Sequence, residues 1–117
     1  MTAPAARRPL DTETMRDVAR RLLDPHAEVP TEDAAETLAL TCRGMLMLLI
    51  PAVEDASHRL TVDAPPRVLA DAGVFEARAR LGHQPGGGLP ARIAHAQRLA
   101  RSVLCLLDHL TGPTTTP

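Results

Sequence analysis

TEDAAETLALTCRGMLMLLIPAVEDASHRL, residues 31–60, is the stretch on which the fold turns. Leu38, Cys42, Met45, Leu49, Val53, Ala56 and Leu60 recur along it at helical spacing and make one continuous apolar stripe. Thr31 stands where an N-cap side chain accepts from the first free backbone N–H groups, and Glu32 and Asp33 suit the positive end of a helix dipole. The spacing predicts one helix from about Thr31 to Leu60, the longest in the chain. Pro51 falls inside it and lacks the N–H that would bond the Met47 carbonyl, so a kink or a break is expected there.

The same period governs the flanks. Upstream, Met15, Val18, Ala19, Leu22 and Leu23 follow i, i+3, i+4, i+7, i+8 spacing behind Asp11 or Thr12 as cap, and Pro25 ends the run. Downstream, Asp63, Pro65 and Pro66 punctuate and start a third helix that ends near Gly82, with Val68, Ala72, Phe75 and Ala79 as its core stripe. GHQPGGG (82–88) reads as a flexible loop. Pro90 is well placed in the first turn of a fourth helix, whose core face is Leu89, Ile93, Ala96, Ala100, Val103, Leu104 and Leu107, stopped by Gly112 and Pro113. No segment alternates with the period of a strand. The fold class is all-α, a small bundle of about four amphipathic helices over residues 11–111, with residues 1–10 and 112–117 expected to be disordered.

Composition agrees. Phe75 is the sole aromatic, so Ala, Leu, Val and Met fill the core, which suits helix packing and counts against binding single strands or RNA by base stacking. The net charge of −1 gives no general pull toward nucleic acid or membrane. The charge is uneven: residues 1–64 hold 7 Arg against 11 acidic residues and residues 65–117 hold 6 Arg against 3, an asymmetry that would favour head-to-tail or antiparallel self-docking. The chain has no Lys, and with the abundant Ala, Pro and Gly this reads as the imprint of a GC-rich genome. A helix-turn-helix DNA reader would need a basic recognition helix, and Arg92, Arg98 and Arg101 spread around the polar arc of the fourth helix. The apolar run Met45–Ile50 is short of a membrane span and no signal peptide is visible, so the expected location is cytoplasmic.

Beyond the core stripes two sets of residues stand out. Leu40, Met47 and Leu48 lie off the main stripe of the second helix, near Gly44 and Pro51. Ala70, Val74, Ala77 and Leu81 form a second line on the third helix. A helix apolar on two faces is sandwiched, either centrally in its own bundle or against another subunit; the small size of the domain favours the second, and these seven residues are the interface candidates of an expected homodimer. On the fourth helix His95, Arg98, Ser102, Cys105 and His109 follow 3-4-3-4 spacing on the face assigned to solvent, a polar seam open to a partner. Cys105 and His109 at i, i+4 are half a metal site at most, since zinc needs three or four ligands. Ser57–His58 and Glu54–Asp55 are sequence neighbours that point apart on a helix, which is wrong for nucleophile–base or acid–base pairs. Gly86, Gly87 and Gly88 have neither the preceding strand nor the Lys-Ser/Thr pair of a phosphate-binding loop. No catalytic residue, metal or cofactor is assigned.

Taken together, PGGGLPARIAHAQRLARSVLCLLDH (85–109), LTCRGMLMLLIPAVE (40–54) and EARARLG (76–82) resemble a small actinobacterial, chiefly Streptomyces, family of unknown function labelled natural product biosynthesis protein. The similarity runs from about residue 11 to residue 110 and implies an accessory place in specialised metabolism, without a reaction or catalytic residue to carry over. Two functions follow as expectations. The first is a non-catalytic accessory or regulatory protein acting through protein contact, as a homodimer. The second is a small-molecule-binding protein or enzyme with an inter-helix pocket lined by Arg43, His58 or His95.

Overall fold

Each helix begins where the sequence supplies a partner for its free N–H groups or removes one of them. The computed structural model describes residues 9–112. Helix α1 spans Thr12–Leu23, capped by Asp11, whose carboxylate accepts from the Thr14 N–H at 3.1 Å and the Thr14 hydroxyl at 2.7 Å. Helix α2 spans Glu32–Ser57, and the Thr31 hydroxyl accepts from the Ala34 N–H at 3.2 Å. Helix α3 spans Pro65–Leu81 with two prolines in its first turn, where the lost N–H groups would be unpaired in any case. Helix α4 spans Leu89–Thr111, opened after Gly88 at φ +92° and closed by Gly112 at φ +84°, whose N–H reaches the Asp108 carbonyl at 2.9 Å. Of the termini read as disordered, residues 1–8 and 113–117 lie outside the described residues, and Leu10 packs against the core.

The hub is α4. It packs against each of the other three helices, while α1 meets α2 only slightly. Leu99, Val103, Leu106 and Leu107 of α4 are fully buried, and Cys42, Leu46, Leu49 and Val53 of α2 share that core with them. Polar ties fasten the periphery to this centre. Arg16 reaches from α1 to Asp108 and Thr111 at 2.8 Å each, Arg78 of α3 pairs with Glu54 at 2.9 Å, and the buried Ser57 donates to Asp71 at 2.7 Å. Arg92 lies 3.7 Å from Glu32 and 4.0 Å from Glu36. The opposite charges of the two chain halves therefore meet across helices of one molecule, which removes the need for a second copy to pair them.

Pro51 neither breaks nor ends α2, which is continuous through it. Both Pro51 and Met47 lie on the exposed side, so the carbonyl that loses its partner faces water, where the cost is smallest. The apolar run Met45–Ile50 understates this helix. At 26 residues, with mean hydropathy 1.5 over its most apolar window, α2 is long and apolar enough to cross a membrane, although its inner face is taken up by α4 and α3.

The register of α3 is the reverse of the one expected. Ala70, Gly73, Val74 and Ala77 are buried, whereas Val68, Ala72, Phe75 and Ala79 are exposed, Phe75 by 77%. Closeness explains the choice. A Cβ added to Gly73 would stand 3.2 Å from Cys105 Sγ and 3.4 Å from His109 Nε2, so α3 lies against α4 at a distance only small side chains allow.

Candidate functional site

Two surfaces are candidates, one on a face of α2 and one where α2, α4 and the loop between α3 and α4 meet. The first is the outward side of α2. Thr37, Leu40, Thr41, Gly44, Met47, Leu48 and Pro51 form one exposed stripe, in which Leu40 is 62%, Met47 67% and Leu48 54% accessible. Uncovered aliphatic side chains of this size, clustered on one face, are what contact surfaces are made of. Gly44 sits at the middle of the stripe, and nothing stands within 4 Å of where its Cβ would be. Beside the stripe Met47, Leu48, Pro51 and Ala52 share a groove of about 800 Å³ with Leu10 and Met15, where the chain enters α1.

Of the seven interface candidates the structure thus leaves Leu40, Met47 and Leu48 uncovered. Ala70, Val74 and Ala77 are inside the chain's own core, and Leu81 is half-buried against it. The second apolar line of α3 is its inner face; no neighbouring subunit is needed to account for it.

The second surface lies at the end of the bundle where α2, the α3–α4 loop and α4 meet. A cleft of about 420 Å³ has Ala35, Ala39 and Leu40 as its apolar wall, with Arg43, His83 and His95 among its polar groups. An adjoining cleft of about 320 Å³ is lined by Arg80, His83, His95 and Arg98. His95 stands between the two, only 5% exposed, and has no hydrogen-bond partner among the described residues. Burial, and then the charges of Arg43 and Arg98 with His83 behind them, hold its imidazole below the usual histidine range, so the ring is kept neutral. Arg43 donates to the Leu81 carbonyl at 2.8 Å, which joins α2 to the end of α3. Arg80 is fully engaged, donating to the Arg98 carbonyl and Ser102 Oγ at 2.9 Å each and pairing with Glu76.

The polar seam of α4 therefore does not lie on a solvent face. His95 and Ser102 are buried because α4 is surrounded on three sides, Arg98 and Cys105 are exposed, and His109 is half-buried near Gly73. The Cys105 thiol is raised by burial and by the nearby Glu76 and Asp108 carboxylates, and Cys42 is pushed up to about 11 by burial, so both favour the unreactive thiol form. Among the described residues no three His, Cys, Asp or Glu side chains gather as metal ligands would. Of the three residues considered for an inter-helix pocket, Arg43 and His95 line one cleft and His58 lies outside it, exposed at the end of α2. The sequence marks His83 only as a loop histidine; the turn of the 82–88 loop back toward α2 is what joins it to the cleft.

Fold and surfaces define a small all-α protein with an uncovered apolar helix face and a basic cleft. Residues 13–115 match a family of unknown function, DUF6415, and the chain belongs to that family. Comparison with curated proteins and with solved structures finds no match.

Proposed function

We propose that this protein is a non-catalytic accessory module that self-associates through the outward face of α2. The observation that carries the reading is the spacing of the exposed stripe about Gly44. Leu40 and Leu48 stand four residues to either side of it, Thr41 and Met47 three residues, Thr37 and Pro51 seven. An antiparallel crossing of two copies at Gly44 therefore sets Leu40 of each against Leu48 of the other, with no charged residue among these outward positions. The missing side chain at the crossing point lets the two backbones approach. The groove beside Met47 and Leu48 adjoins this contact and adds Pro51, Ala52, Leu10 and Met15 to the apolar surface next to it.

The resemblance to actinobacterial proteins labelled for natural product biosynthesis, together with the all-Arg, Ala-rich composition, supports a place beside the enzymes of specialised metabolism. Light scattering tests the self-association. Wild-type protein at about 50 μM should have the mass of two chains, and Met47→Glu should give a folded single chain at that concentration. A folded wild type with the mass of one chain would overturn the proposal.

A further inference from the structure

We propose that the paired clefts around His95 bind a small organic carboxylate, held by Arg43 and Arg98 with the His95 ring donating a hydrogen bond. This site does not depend on the self-association reading, although Leu40 belongs to both surfaces. Three observations converge. His95 is buried as a residue, lines both clefts and makes no hydrogen bond to a described residue, and its ring nitrogens are not sealed from solvent, so they stand open to whatever enters the clefts. Arg98 has no hydrogen-bond or carboxylate partner for its guanidinium among those residues, and Arg43 spends a single nitrogen on the Leu81 carbonyl. Two cations that no carboxylate neutralises thus flank one buried acceptor-and-donor ring.

The neighbouring charges narrow the ligand. Arg80 is already occupied by Glu76 and Ser102, and Arg92 is faced by Glu32 and Glu36. Glu36 itself lines the larger cleft, so the free positive charge amounts to that of two guanidiniums with a carboxylate at the rim. That balance suits a monoanion better than a phosphate dianion. The larger cleft adds the apolar wall of Ala35, Ala39 and Leu40, and its volume of about 420 Å³ is that of a site for a small ligand. A carboxylate with a short aliphatic body meets both halves: the head between Arg43, Arg98 and His95, the body along α2. The carboxylate would accept from the arginine N–H groups, in the geometry for which a guanidinium is suited.

The test is a titration of the full-length protein with hexanoate, followed by the ring signals of its histidines in NMR. Hexanoate should shift His95 and His83 saturably and leave His26 and His58 in place. Arg98→Gln, at an exposed position that the fold does not use, should keep the helical circular dichroism spectrum and weaken binding by about tenfold or more. Inorganic phosphate should bind more weakly than hexanoate. Three results would each overturn the site: no saturable shift up to about 10 mM hexanoate, unchanged affinity in Arg98→Gln, or phosphate binding as tightly as the carboxylate.

Discussion

Leu48 and Leu49 are adjacent in sequence and opposite in environment, so truncating each in turn weighs the register of α2. Leu49 is fully buried in the core that α2 shares with α4, whereas Leu48 is 54% accessible. Leu49→Ala withdraws three carbons from the core, worth about 2–2.5 kcal/mol in transfer free energy at roughly 0.8 kcal/mol per methylene. The cavity adds to this, because α2 is clamped by Cys42, Leu46 and Val53 on the same face and cannot collapse freely onto α4. A total of about 3–4 kcal/mol is expected, within the range such truncations show. For a domain of this size that lowers the melting temperature by roughly 12–20 °C. Leu48→Ala should change stability by no more than about 0.5 kcal/mol at a protein concentration near 1 μM, where association contributes little. Urea unfolding followed by circular dichroism at 222 nm reads both values. Equal costs at the two positions, or a larger cost at Leu48, would refute the assignment of the inner face.

The same logic applies to α3: Val74→Asp should abolish cooperative unfolding by placing an unpaired carboxylate in the core, and Phe75→Asp should leave a folded chain, as read by thermal denaturation. Ser57→Ala removes the bond from a buried hydroxyl to Asp71, an exposed carboxylate that keeps water and its ion pair with Arg67, and should cost about 0.5–1.5 kcal/mol in urea unfolding. Because the folded state holds His95 below its ordinary value of 6.5, the unfolded chain binds more protons than the folded one as pH falls through that value. Stability should therefore decline with acidification from about pH 6.5 down to the depressed folded-state value. His95→Gln should flatten that part of the profile, and an unchanged slope would contradict the burial of the ring.

Most helix ends are legible in the sequence because they are made by local devices, whereas α2 stops at Ser57, short of the expected Leu60, where the sequence has no such device. Asp11, Thr31, the Pro65–Pro66 pair and Gly112 act within one turn, so no knowledge of the packing is required. The facing of α3 is not legible. Both its lines are apolar, and hydrophobicity favours the one carrying Phe75. The line chosen has Ala70, Gly73 and Ala77, and what decides is how closely α3 lies on α4, a property of two helices jointly. The burial of His95 and Ser102 escapes the sequence for a related reason. A polar residue on a helix is read as outward unless the helix is enclosed, and the enclosure of α4 comes from the paths of α1, α2 and α3 around it. The outward triplet Leu40, Met47 and Leu48 is legible because a single helix settles it: those positions fall opposite the stripe that α4 covers.

Pairing of Leu40 with Leu48 across two copies is the centre of the functional account, and a charge exchange tests it most directly. Leu40 and Leu48 are eight residues apart, about 12 Å along one helix, too far to pair within a chain. Leu40→Lys alone and Leu48→Glu alone should each bury an unpaired charge from either copy in the proposed interface and reduce the particle to one folded chain. Combining the two substitutions sets the ammonium at position 40 of each copy beside the carboxylate at position 48 of the other, and sedimentation velocity should show the two-chain species restored. A double variant as monomeric as either single one, with wild-type protein dimeric, would contradict the antiparallel crossing at Gly44.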